Sequence, residues 1–281
     1  MGKFTGVLLA SDFDNTLLYT ERARRGNGEV PNVSQRNREA LTYFMENGGK
    51  FAIATGRALP AFLKFADQVP MNAPGVICNG AALYDFEKEE YVSTVLLKEI
   101  TRARGQEVLD RFPTLALEAY HIDNVIHAVR PNLYTKQHEH VTHVAVTEKP
   151  SLLEVPLPLG KIMFEEDHAL LVEVKTWIEQ QPWAREYEVF FSDKTLLEVT
   201  AKGASKGAMI RVLAEYLGIS MDHVYCAGDE MNDLSMLAAA AEGFAPENCI
   251  PAVRESGATI VPHCENDAIA AIVEILDKRY S

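Results

Sequence analysis

Two short acidic clusters carry residues that could do chemistry: Asp12-Phe13-Asp14-Asn15-Thr16 near one end of the chain and Gly228-Asp229-Glu230-Met231-Asn232-Asp233 near the other. Asp12 and Asp14 are two positions apart, so in an extended segment they face the same side, where one can attack an electrophile while the other handles a proton. Asp229 and Asp233, four apart across a strand-to-helix turn, meet on one face, with Gly228 permitting the bend. Carboxylates crowded into one site repel unless a cation intervenes. Hard oxygen ligands arriving singly from separate loops favour Mg²⁺, which keeps several waters and shares itself with a substrate phosphate. Each cluster alone has an ordinary alternative, an Asp-rich turn or an acidic first turn of a helix. A calcium loop opening at Asp12 does not fit, because its sixth and twelfth positions need Gly and Glu and are Leu17 and Ala23 here.

Both clusters follow apolar runs, residues 6–10 and 223–227, of the kind that form buried parallel strands, whose carboxyl ends open onto a ligand crevice. Strand and helix signals alternate through 1–83: a strand at 6–10, a polar stretch over 21–31, and a helix capped by Ser34 with Ala40, Leu41, Phe44 and Met45 on one face. Strands at 50–54 and 75–78 and a helix at 61–65 follow. Between about 84 and 196 the texture changes to more charge, six of the eight histidines, and strand-like alternation at 141–146 and 161–164. The rhythm resumes with helices at 206–217, 233–241 and 268–278 and strands at 224–227 and 259–261. The pattern predicts one α/β core, 1–83 plus 197–281, interrupted by an α+β domain over 84–196.

A chain of 281 residues with 47% hydrophobic content can bury a large core. Its formal charge of −13 argues against a non-specific nucleic-acid or anionic-membrane surface, while leaving room for a pocket that takes a small anion. The four cysteines are widely spaced without a CxxC pair, as expected of free thiols. The N-terminal apolar run is too short for a secretory signal, no stretch approaches a membrane span, and Met1-Gly2 lacks the Ser or Thr expected at position 6 of an acylation motif. The expectation is a reduced, cytoplasmic protein.

Thr55 and Lys206 add a hydroxyl and an ammonium, the usual partners of a phosphate, with Lys206 at a helix start. Taken in order, Asp12–Thr16 as DxDxT, Thr55-Gly56-Arg57, Asn79-Gly80-Ala81, Ser205-Lys206-Gly207 and Gly228-Asp229-x-x-Asn232-Asp233 resemble the haloacid dehalogenase superfamily. Within it, the chain is similar to Cof-type phosphatases with a large C2B-type cap inserted between the second and third motifs. The resemblance covers nearly the whole core. Asn15 departs from it, since Gly is usual there, but Asn tolerates the left-handed conformation such a turn needs.

The resemblance implies a doubly wound, Rossmann-like α/β core and a cap that selects the substrate. It implies that Asp12 attacks phosphorus to form an aspartyl-phosphate, and that Asp14 protonates the leaving oxygen and then activates water. Mg²⁺ would be held by Asp12, the Asp14 carbonyl and Asp229, with Asp233 in support. Thr55, Lys206 and Asn232 would hold the phosphate, beside Gly56, and Lys202 is the weaker rival for the ammonium role. Arg57 and Asn79 flank the crevice and could touch the leaving group; Arg57 could equally pair with a cap carboxylate. A zinc site through His138, His140 and His143 is disfavoured, since strand alternation would split them between two faces. The implied substrates are small phosphorylated metabolites, above all sugar phosphates. Rival readings are a sugar phosphomutase and a non-catalytic phosphometabolite-binding protein, the latter giving no reason for a nucleophile beside a proton donor.

Overall fold

The computed structural model describes residues 2–24, 30–122 and 124–281. Met1 of the acylation motif and residues 25–29 of the expected polar stretch lie outside them. Among the described residues the strands are β1 (Leu8–Ser11), β2 (Lys50–Ile53), β3 (Gly75–Ile77), β4 (Ala82–Asp85), β5 (Glu90–Thr94), β6 (Ala116–His121), β7 (Ile126–Val129), β8 (Thr147–Lys149), β9 (Leu159–Glu165), β10 (Tyr187–Asp193), β11 (Leu196–Ala201), β12 (Val224–Ala227), β13 (Glu242–Pro246) and β14 (Thr259–Val261). The core is a parallel sheet in the order β14-β13-β12-β1-β2. From β1 the chain moves one way to β2 and later the other way from β12 outward, so the strand order reverses between β1 and β12. Ligands of open α/β sheets bind at the carboxyl ends of the strands at such a reversal.

Helices flank this sheet because their apolar stripes are buried against it. Ser34 caps the Gln35–Glu46 helix by accepting from Asn37 N, and Leu41 and Phe44 face inward. The Lys206–Leu217 helix, capped by Ser205, buries Met209, Ile210 and Leu213 against Leu8, Ala52 and Val224. No described helix is long and apolar enough to cross a membrane.

A second sheet, β10-β11-β9-β6-β7-β8, forms the cap; its pairings are antiparallel except β7 with β8. One face packs Leu117, Ala119, Ile162, Phe164, Leu197 and Val199 against Val108, Leu109, Leu171 and Val174 from two helices. The opposite phase of the same strands carries Glu118, Lys161, Glu165 and Glu198, all buried.

One sequence expectation is corrected and one strand was missed. Residues 141–146 are not a strand: Leu133–Thr142 is a helix, closed by His143 in the left-handed conformation. A capping box between Asn132 and Thr135 starts it, and the valine-rich run begins only at its last turn. The strand-face argument about His138, His140 and His143 therefore falls. Glu242–Pro246, a short segment with one glycine and one proline, is a parallel strand that sequence reading missed. The expected domain boundaries at 83/84 and 196/197 each cut a strand, β4 and β11. β4 pairs with β3 and β5, and β11 pairs with β9 and β10, so we propose boundaries after Thr94 and after Ala201 instead.

Candidate active site

The register of the central strands brings the two acidic clusters together. Ser11 pairs with both Ala227 and Ile53, so β1, β12 and β2 end level, and Asp12 N donates to Ala227 O at 2.8 Å. Asp12, Asp229 and Asp233 are buried, with carboxylate oxygens within 4.8 Å of one another. Lys206 Nζ is buried between two of them, donating to Asp12 Oδ1 at 2.7 Å and Asp233 Oδ1 at 2.6 Å. Asp233 Oδ2 accepts from the backbone N–H of Asp229 and Glu230, and Thr16 Oγ1 donates to Asp229 Oδ1. Asp12 and Asp229 line a cavity of about 300 Å³; Asp233 stands behind them. The Lys206 helix can approach because Gly80 has no side chain: a Cβ there would lie 2.2 Å from Ser205 O.

Burial pushes the Asp12 carboxyl up to about 7, aided by the charges of Asp233 and Asp14 and opposed by Lys206. Burial, then Asp12 and Asp233, hold Asp229 well above the ordinary carboxylate range. Such a cluster binds either protons or a cation, and its all-oxygen donors match a hard divalent ion.

Asp14 is held by an arginine and a threonine. Arg57 donates to it through both Nε and an Nη at 2.8 Å, and Thr20 Oγ1 donates at 2.8 Å. The guanidinium lies against the rings of Phe13 and Phe65, 5.2 and 4.8 Å from their centroids. Arg57 thus pairs with a core carboxylate, a partner sequence reading did not consider. Asn15 has φ 57°, as its substitution for glycine requires. Its Oδ1 accepts from Thr20 N and Glu21 N, and its carbonyl accepts from Asn248 Nδ2, so the side chain Gly lacks here fixes the turn.

The sequence pattern of the haloacid dehalogenase-like hydrolases matches residues 9–273. The chain belongs to that family. A pyridoxal phosphate phosphatase of Escherichia coli is 24% identical over 96% of this chain and 98% of its own. An HMP-PP phosphatase of Serratia proteamaculans is 25% identical over 94% of this chain and 92% of its own. A solved haloacid dehalogenase-like hydrolase from Bacteroides thetaiotaomicron superposes with a TM-score of 0.81 at 24% identity, covering 96% of this chain and 99% of that one. A solved subclass IIB sugar phosphatase gives 0.80 at 21%, covering 96% and 99%. The chain is a Cof-type haloacid dehalogenase phosphatase, and the acidic cluster at Asp12 and Asp229 could hold the divalent metal that hydrolases of this family generally use.

The remaining phosphatase residues named from sequence divide into two groups. Thr55 is buried, its Oγ1 accepting from Arg57 N, and it does not line the cavity, whereas Gly56 and Asn232 do. Lys202 pairs with Glu188 at the surface, far from the role that Lys206 geometry allows. Asn79, at φ 57°, accepts from Asn232 Nδ2 at 2.9 Å and donates to Glu198 Oε2 at 2.6 Å. Glu198 also accepts from Lys161 Nζ at 2.9 Å, and Lys161 reaches back to Gly56 O. This chain of contacts joins the cap sheet to two core loops.

Sequence reading missed Glu198 and Lys161, although a signal was present. Both are charged residues at every-second positions of otherwise apolar strands, an arrangement that buries charge unless it is paired. Glu198→Ala strands the Lys161 ammonium in the interior, and we expect it to cost about 3 kcal/mol of stability in urea denaturation. A change under 1 kcal/mol would show that the contact is incidental.

Proposed function

We propose that this phosphatase hydrolyses small phosphorylated metabolites, sugar phosphates among them, through an aspartyl-phosphate on Asp12 and with Mg²⁺ as cofactor. The observation that carries this reading is a buried carboxylate that borders a cavity, lies beside a second carboxylate, and is oriented by a buried ammonium 2.7 Å away. Lys206 draws off charge on one Asp12 oxygen from behind the cavity wall, and Asn232 lines the space where a phosphoryl group would sit. Asp12, the Asp14 carbonyl and Asp229 would hold Mg²⁺, with Asp233 fixing Lys206 and the loop from behind. Bound there, Mg²⁺ supplies positive charge that screens the nucleophile from an anionic substrate.

Asp14 is the proton carrier. Its pairing with Arg57 favours the carboxylate, which suits activation of water for the second half-reaction; the first half-reaction needs a proton on Asp14 and so requires that pairing to loosen. Asp14→Asn should lower kcat by roughly 10²- to 10⁴-fold with folding intact; a KM effect alone would assign Asp14 to binding.

The cavity is closed on the cap side by Tyr120, His138, Lys161, Ser192, Asp193 and Glu198. These polar groups suit a leaving group rich in hydroxyls or other hydrogen-bonding atoms. The names of relatives that act on pyridoxal phosphate and HMP-PP support metabolites of that size. Phosphate release from a panel of sugar phosphates and phosphorylated cofactors, with Mg²⁺ and with chelator, tests the proposal. Release confined to the Mg²⁺ arm is expected, and turnover that survives the chelator overturns the cofactor assignment.

The raised carboxyls also predict a pH dependence. A proton on Asp12 or Asp229 favours the folded state, so their contribution to stability is full below the unfolded value near 3.8 and is lost as pH rises, for Asp12 through about 7. A divalent ion substitutes for those protons. Mg²⁺ at about one hundred times its Kd should add about 2.7 kcal/mol at pH 8, and clearly less at pH 5 where protons compete. Equal gains in melting temperature at both pH values would contradict this.

A further inference from the structure

The polar face of the cap sheet holds a second cluster, which shares His138 with the cavity wall but takes no part in the proposed phosphoryl transfer. Glu118 on β6 and Glu165 on β9 have side chains only 1% and 0% exposed. His138, on the Leu133–Thr142 helix, is laid over them, its Nδ1 3.0 Å from Glu118 Oε2 and 3.8 Å from Glu165 Oε1. One ligand atom from each of the three lies within 4.8 Å of the others. Tyr120 Oη donates to Glu118 Oε2 and Thr135 Oγ1 donates to Glu165 Oε2, each at 2.5 Å. Glu118 Oε1 and Glu165 Oε1 are buried with no hydrogen-bond partner among the described residues.

Two buried carboxylates each leaving an oxygen unsatisfied is a costly arrangement. The nearby ammonium does not resolve it, since Lys161 already pairs with Glu198 at 2.9 Å. A shared proton or a cation would. The donor set favours a cation: an imidazole with two carboxylates suits a zinc-type ion rather than Mg²⁺. Ligand atoms on one such ion stand about 3–3.5 Å apart, given bonds of about 2.0–2.2 Å, and the observed separations bracket that range. The Tyr120 and Thr135 hydroxyls supply the outer hydrogen bonds that orient ligating carboxylates.

We propose that Glu118, His138 and Glu165 form a cap-domain site for a zinc-type divalent ion, pinning the Leu133–Thr142 helix to β6 and β9. The site is separate from the one at Asp12 and Asp229 and does not depend on the proposed hydrolysis. Crystals of the full chain soaked in zinc chloride, with data on both sides of the zinc absorption edge, test it. An anomalous peak enclosed by the three side chains is expected; a peak at Asp12 and Asp229 with none in the cap, or no peak, overturns it and leaves a shared proton as the answer. In equilibrium dialysis against zinc alone, Glu165→Gln should lose one zinc equivalent or bind it at least about tenfold more weakly. His138→Gln gives the same reading if Glu165→Gln fails to fold. Unchanged zinc binding in a folded variant also overturns the proposal.

Discussion

Asp12→Asn should abolish phosphate release, lowering kcat by roughly 10⁴-fold or more, the scale expected when a covalent nucleophile is removed. The variant should fold. Asparagine keeps the shape of the side chain and an oxygen that can accept from Lys206, and burial already disfavours the charge it removes. Lys206 also keeps Asp233 at 2.6 Å, so the ammonium is not stranded. Urea denaturation alongside the phosphate assay separates the two effects. An inactive protein of normal stability assigns the loss to chemistry, whereas retained turnover removes Asp12 from the mechanism.

The complementary experiment removes the cation. Lys206→Met leaves Asp12 and Asp233 buried side by side without their shared partner, and breaking a buried pair in this way costs about 3–5 kcal/mol. The variant should be both inactive and destabilised. The destabilisation should also shrink as pH falls, because a proton can replace the missing ammonium once the carboxyls, pushed still higher by its loss, begin to titrate. A loss under 1 kcal/mol, or one independent of pH, would mean that the carboxylates find another partner.

These two residues also show how far the sequence could be read. The order of motifs carried the family and the core, because parallel strands buried on both faces are continuous apolar runs and their exits are marked by Asp12, Thr55 and Asp229. The choice of Lys206 over Lys202 rested on the family pattern that Ser205-Lys206-Gly207 matches, and Ser205 caps the helix that Lys206 opens. What stayed hidden was pairing between distant segments. Nothing local in the sequence says that Arg57 takes Asp14, or that Glu198 in β11 reaches Asn79 in a core loop 119 positions away. The histidine-rich segment misled because residues 141–146 hold three valines, which favour strands, while the Asn132 cap six positions before His138 had already set a helix. His138 then turned out to face glutamates from two strands rather than other histidines.

Asp14 and Arg57 mark the point at which geometry constrains the reaction most. A bidentate guanidinium favours the charged form of Asp14 and weakens its hold on a proton, so the proposed cycle has to loosen that contact before Asp14 can carry one to the leaving oxygen. Arg57 also packs on Phe13 and Phe65, next to the Asp12 loop, which ties Asp14 to Asp12 through the short exit turn of β1.

The most direct test is to quench the enzyme during turnover, reduce any acyl phosphate with borohydride and map the labelled peptide. The account predicts reduction at Asp12 alone, dependent on substrate and absent in Asp12→Asn. Label at another residue, or turnover with no trappable acyl phosphate under conditions where phosphate release is fast, would contradict it.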